Sequence, residues 1–156
     1  MISTTLKETT NPVLVEDMEA IFQKLSGPEK DKLKNSTILL TGCGGFLGYY
    51  FMHFFAHYAE ELSIKKIIAL ENFLTGTKDW LNNLVETNKD LIKLHEFNVI
   101  TDSVDTVPGA ADADIIIHMA SIASPTFYRI YPIETVDANI TGLRRLLDYF
   151  AQKEIK

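Results

Sequence analysis

Apolar positions in this chain follow two patterns, and they change over near Ser36. Before it, Leu14, Met18, Ile21, Phe22 and Leu25 recur three or four apart and predict an amphipathic helix. Asn11-Pro12 reads as its N-cap and first turn, and Ser26-Gly27-Pro28 as its stop. A short charged helix from Pro28 to about Lys34 comes next, and the Thr-rich residues 1–10 read as a disordered tail. After Ser36, short apolar runs alternate with helical stripes. "STILLTG" predicts a buried strand, and "KKIIAL" and "LIKLHEFNV" a second and a third. "ADIIIHMA" is apolar without alternation, as in a strand covered on both faces. Between them, Gly45–Glu60 reads as a helix with Leu47, Tyr50, Phe51, Phe54, Phe55 and Tyr58 on its core face. Thr77–Thr87 is a further helix with Trp80, Leu81, Leu84 and Val85 on one side. Pro132 to about Gln152 is a long helix expected to turn Val136, Ile140, Leu143, Leu147 and Phe150 inward. Strands alternating with helices predict an α/β fold with a parallel sheet. Residues 1–35 form a tail and helical extension, and residues 36–156 the main domain. The extension's apolar stripe must bury against that domain or a second subunit.

The first predicted strand runs into "TGCGGFLG", Thr41–Gly48, where a helix begins. Helix N-termini carry unpaired N–H groups and the positive end of the dipole. Gly42 allows a tight turn, Gly45 a close backbone approach by a pyrophosphate, and Gly48 close packing of helix on strand. Leu47 breaks the commoner G-x-G-x-x-G spacing, and no G-K-[ST] is present, which excludes a P-loop. Glu71 closes the second strand at about the 20-residue offset at which an acidic residue meets the adenosine ribose. Such a carboxylate accepts ribose hydroxyls and repels a 2′-phosphate, so NAD is expected over NADP. The architecture is therefore a Rossmann-type doubly wound sheet, with strand order 3-2-1-4.

Composition narrows the partners. A formal net charge of −6 leaves no basic face for nucleic acid or anionic membrane. Cys43 is the single cysteine, so neither an internal disulfide nor a cysteine zinc site is expected. Its position in the loop suits a small side chain. No apolar run approaches the roughly 20 residues of a membrane span. "MISTTLKETT" lacks the apolar core of a secretory signal, and a cytoplasmic location is expected. His53 and His57 lie one turn apart without a third ligand, which reads as packing or solvent exposure rather than metal binding.

"TGCGGFLG" resembles the T-G-x-x-G-F-x-G loop of the extended short-chain dehydrogenase/reductase family, which acts largely on nucleotide sugars. "ENFLTG", Glu71–Gly76, is similar to the D-N-F-F-T-G segment of its UDP-glucuronate decarboxylase branch. "HMASIASPTFYRIYPIETVDANITG", His118–Gly142, resembles that branch's segment reading H-L-A-S-P-A-S-P, then Y, then P-I, then T-N-x-x-G-T. The likeness covers Ser36 to about Gln152. It implies that Gly42, Gly45 and Gly48, with Phe46 and Leu47, hold the pyrophosphate. Glu71, Asn72 and Thr75 would surround the adenosine ribose, and Asn98 and Val99 the adenine. Ala120, Ser121 and Ser124 would flank nicotinamide and sugar, Tyr128 the substrate edge, with Asn139 supporting the site. His118 is expected as a packed residue beside the cofactor. Glu71 and Asn98 each replace an Asp of the family pattern, and Leu143 a Thr. The implied reaction oxidises the UDP-glucuronate sugar at C4 with NAD, releases carbon dioxide and returns the hydride. Nucleotide-sugar 4-epimerases and 4,6-dehydratases share the first step, and a non-catalytic dinucleotide-binding module is the reading of another class.

The family's chemistry needs a Tyr-x-x-x-Lys pair, in which Tyr is the general base. Only Tyr149 and Lys153 have that spacing here, on the long helix, where the match reads as accidental. The sugar-binding second domain is also missing from the pattern, and "ADIIIHMA" is expected at an open apolar edge, which natural sheets avoid. The chain is thus expected to be the NAD-binding part of a longer enzyme, or to pair that edge with another polypeptide. A homodimer is expected.

Overall fold

The computed structural model describes residues 11–153, 155 and 156; the tail expected over residues 1–10 lies outside them. Helix α1 (Pro12–Lys24) is capped by Asn11, whose side chain accepts from the amides of Val13 and Leu14. Helix α2 (Gly27–Leu33) opens on a capping box between Ser26 and Glu29. Then come β1 (Thr37–Thr41), α3 (Phe46–His57), β2 (Lys66–Glu71), α4 (Asp79–Thr87), β3 (Ile92–Glu96) and, after two 3₁₀ turns, β4 (Ile115–His118). Helices α5 (Pro125–Ile130) and α6 (Pro132–Asp137) lead through a π turn at Ala138–Gly142 into α7 (Leu143–Phe150). All pairings are parallel in the order β3-β2-β1-β4, the order expected from the sequence. Strand β3 is shorter than its apolar run: the Phe97 amide makes a last bond to the Glu71 carbonyl, and the chain then turns away through Asn98. Strand β4 is half-buried and, among the described residues, pairs with β1 alone.

Alternation along the strands divides the core. Ile38, Leu40, Ile67 and Ala69 face α3 and α4, while Leu39, Ile68 and Leu70 face Val99, Leu146 and Phe150. The extension joins the first of these layers. Leu14 and Met18 of α1 are fully buried there, and Phe22 stacks on Tyr58 of α3 with ring centroids 4.1 Å apart. The stripe left open by the sequence therefore packs on the chain's own domain. Ile21 falls outside it and is exposed.

Two expected core faces are corrected. Leu47 opens α3 beside the loop, ahead of the turns that reach the sheet, and is exposed; Met52 takes its place in the core. On the long helix, Val136, Ile140, Leu143 and Leu147 point outward and only Phe150 of the expected set is buried. The inward residues are Ala138, Gly142, Leu146 and Phe150, spaced by four. Three such steps would drift about 120° around a regular α-helix. The wider π turn offsets part of that drift, at the Ala138–Gly142 step.

Candidate dinucleotide site

The chain leaves β1 toward β2 and β3, then crosses back to place β4 on the other side of β1. The carboxyl ends of β1 and β4 thus flank a switch point, where open α/β sheets bind ligands. Gly42 turns the chain there in the left-handed region, with φ +72°. A Cβ on Gly42 would come within 2.6 Å of the Ala120 amide nitrogen, and one on Gly48 within 2.3 Å of the Cys43 carbonyl oxygen. Both glycines are therefore required by backbone against backbone. The first helical bond of α3 runs from the Tyr49 N–H to the Gly45 carbonyl, so the amides of Phe46, Leu47 and Gly48 have no acceptor within the helix. No acidic side chain occupies that first turn. An anion meets only N–H groups and the positive dipole end.

Facing this turn is a crevice of about 740 Å³, open solvent at its mouth included. Of the residues expected at the site, it brings together Gly42, Gly45, Glu71, Asn72, Thr75, Asn98, Val99, Ala120 and Ser121. Phe46 and Leu47 are exposed and do not line it, and Gly48 lies against Cys43. Ser124 caps α5 and Tyr128 is exposed on that helix; neither lines the crevice. Asn139 donates to the Ser121 hydroxyl at 2.9 Å and to the Thr135 carbonyl at 2.7 Å, tying the crevice wall to its helix. Asn98 shapes its own turn, accepting from the Ile100 amide while its N–H donates to Asp102.

Several lining residues escaped the sequence reading. Phe97, Ile100, Leu70 and Ile122 add apolar wall, and Glu134 adds a carboxylate. Glu134 sits in the first turn of a helix whose start at Pro132 is legible. That the turn faces the crevice is due to helix α5 ahead of it, which the apolar pattern does not announce. Glu71 is 7% exposed and turns its carboxylate onto three backbone amides, those of Gly44, Asn72 and Phe73.

Thr41 links the loop to β4. Its hydroxyl oxygen accepts from the amides of Met119 and Ala120, each at 3.2 Å, so its one proton goes to His118 Nδ1 at 2.7 Å. His118 then carries its own proton on Nε2, which has no partner. His53, packed against Tyr49 and Trp80, His57, packed against Tyr58, and His95 likewise each hold a buried nitrogen without a partner. Among the described residues no cluster of three or more potential metal ligands exists. Burial lowers all four histidine pKa values, favouring neutral rings in the folded protein. In the unfolded chain they take up protons near their ordinary value of about 6.5. The unfolded state therefore binds more protons below that pH, and stability present above it is lost as pH falls through the lowered folded values. Urea unfolding at pH 7.5 and pH 5.5 is expected to give a lower midpoint at the acid end. Equal midpoints would contradict this assignment.

The remaining tempting groups fall away from the crevice. Burial raises the Cys43 thiol pKa strongly and holds it protonated, despite its place before a helix. Lys153 lies over the Tyr149 ring, 4.6 Å from its centroid, and reaches toward the Ala111 carbonyl; neither residue lines the crevice. No helix among the described residues is long and apolar enough to cross a membrane.

Known proteins resemble this chain in sequence and in fold. The chain is 33% identical over 116 residues to UDP-glucuronic acid decarboxylase 6 of Arabidopsis thaliana, covering 72% of this chain and 29% of that enzyme's length. Its fold matches UDP-glucose-4-epimerase of Stenotrophomonas maltophila, solved with bound NAD and formylated UDP-arabinopyranose. That likeness has a TM-score of 0.60 at 14% identity, over 78% of this chain and 35% of that one. It also matches the UDP-Glc/GlcNAc 4-epimerase of Campylobacter jejuni, with a TM-score of 0.57 at 21% identity, over 75% and 34%. The sequence model of the NAD dependent epimerase/dehydratase family matches residues 38–156, beginning one residue into β1 and taking in the whole crevice, and the chain belongs to that family.

Proposed function

We propose that this chain is the NAD-binding part of a UDP-glucuronate decarboxylase-like enzyme, working in the cytoplasm with a UDP-sugar as substrate. The observation that carries the reading is the row of free amides at Phe46, Leu47 and Gly48, set beside Gly42 and Gly45 at the β1/β4 switch point. The decarboxylase branch is favoured by the 33% identity to the plant enzyme.

NAD, when bound, supplies a reversible hydride acceptor for the sugar carbon. The chain's own residues hold and orient it. Gly42 and Gly45 admit the diphosphate to the amides of α3. Asn72 and Thr75 would border the adenosine ribose, with Phe97 and Val99 as apolar wall for the adenine. Ala120 and Ser121 would flank the nicotinamide, with Ser121 fixed by Asn139. Ser124 and Tyr128 stand toward the sugar side. Tyr149 and Lys153 do not line the crevice, and the chain by itself is expected to bind cofactor without turnover. The outward stripe of Ile133, Val136, Ile140 and Leu147 is the contact face for a second copy in a homodimer, and sedimentation at twice the chain mass would accompany it.

Calorimetric titration of one preparation with NAD, NADP and UDP-glucuronate tests the reading. NAD is expected to bind, NADP at least about 10-fold more weakly because its added phosphate meets Glu71 and Glu134, and UDP-glucuronate not detectably. Absence of NAD binding would overturn the cofactor assignment. Carbon dioxide release from UDP-glucuronate would overturn the claim that this chain alone is inactive.

A further inference from the structure

We infer that Glu71 serves first as a clamp that fixes the phosphate loop, a positioning residue rather than the principal acceptor for the ribose hydroxyls. For its ligand measurements the inference rests on the cofactor reading above. Its structural basis is separate.

An ionised carboxylate is acceptor only, with about four lone-pair sites. In Glu71 three of these are taken by backbone. Oε2 accepts from the Gly44 amide at 2.8 Å, and Oε1 from the amides of Asn72 at 2.9 Å and Phe73 at 3.0 Å. Bonds of this kind, to a charged acceptor and largely out of water, are the stronger ones. The two oxygens thus join two separate segments, the glycine loop after β1 and the loop after β2. A third contact closes the arrangement, from the Thr77 amide to the Gly44 carbonyl at 3.4 Å.

The surroundings are cut to this carboxylate. A Cβ on Gly44 would lie 3.1 Å from Glu71 Cγ and Oε2, and one on Gly76 3.2 Å from Glu71 Cδ and from the Gly44 backbone. Glycines at both places let the two loops close over the side chain. Phe73, in the left-handed region with φ +57°, donates its amide to Oε1. Aspartate, one methylene shorter, would not span from β2 to the Gly44 amide while keeping the other two. Glutamate at this position makes the clamp, and leaves one lone-pair site for a ligand.

A clamp of this kind prepares the amides of Phe46 and Leu47 before any ligand arrives, so its loss should weaken the diphosphate contribution and not the ribose one. The experiment compares wild type with Glu71→Gln and Glu71→Asp. Amide exchange by NMR on the ligand-free protein comes first. Gln keeps one carbonyl oxygen and presents an NH₂ at the other position, so exchange is expected to quicken by about 10-fold or more on one side of the clamp, at Gly44 or at Asn72 and Phe73 together, with β1 and β2 protection retained. Asp is expected to release Gly44 and keep the other two. Calorimetry with ADP, 2′-deoxy-ADP and adenosine comes second. For Glu71→Gln the ADP affinity is expected to fall about 10-fold and adenosine less than about 2-fold, with the ratio of ADP to 2′-deoxy-ADP unchanged. Unchanged exchange at all three amides in Glu71→Gln overturns the clamp. So does a ratio that collapses to about one in Glu71→Gln, because that marks a direct contact with the hydroxyl. If wild type binds neither NAD nor ADP, the cofactor reading fails, while the exchange data still decide the clamp.

Discussion

Gly42→Ala is expected to abolish NAD binding and to lower the unfolding temperature by roughly 5–15 °C. Two effects add. Alanine at φ +72° is strained, and its Cβ would sit 2.6 Å from the Ala120 nitrogen and 2.7 Å from the Met119 carbonyl carbon. Both neighbours are backbone at the end of β4, held by the Thr41 hydroxyl, so neither can swing aside as a side chain would. Together these should cost about 2–4 kcal/mol of stability. The site loses more than the fold, because β1 and β4 can relieve the clash only by parting at the switch point where the diphosphate sits. A loss of NAD affinity beyond about 100-fold is expected by calorimetry. A folded Gly42→Ala protein that binds NAD within a few-fold of wild type would show that the ligand does not use this turn.

Met18→Asp is expected to leave the domain unfolded or nearly so at 37 °C. Met18 lies on α1, outside the stretch matched by the family, yet it is fully buried in the layer that holds Ile38, Met52 and Ile67. Removing its side chain to alanine should cost about 2–5 kcal/mol, and a carboxylate without a partner costs more. A domain of this size has about 5–15 kcal/mol in total. Met18→Leu keeps the volume and should cost less than about 1.5 kcal/mol. Thermal unfolding of the two variants separates the cases. An unchanged transition for Met18→Asp would mean that the extension does not dock as described.

Legibility in the sequence tracks what periodicity encodes. The strand runs, the glycine turn and the order β3-β2-β1-β4 were readable because each rests on local chemistry: apolar runs, Gly at a strand-helix junction, Asn11 and Ser26 at caps. Gly42, Glu71, Asn98 and Ser121 meet in one crevice because they lie at or just past strand ends, and strand ends converge at a switch point. Facing was harder. The long helix carries two stripes, one large and apolar through Val136, Ile140 and Leu147, the other of small residues with Leu146 and Phe150. Hydrophobicity favours the first, but the sheet accepts the second, because Gly142 must lie against Val99, where an added Cβ would meet its methyls at 2.9 Å. Glu71 shows a similar limit. Its place was legible, but the direction of its carboxylate depended on amides from two loops that no spacing rule brings together.

The π turn at Ala138–Gly142 has a wider consequence. Ahead of it, Glu134 and Ala138 look into the crevice; behind it, Leu146 and Phe150 are seated beneath the sheet. One continuous rod thus serves two surfaces that a regular helix would present out of phase. The ligand cleft and the hydrophobic floor share one wide coil, which sets the facing of both.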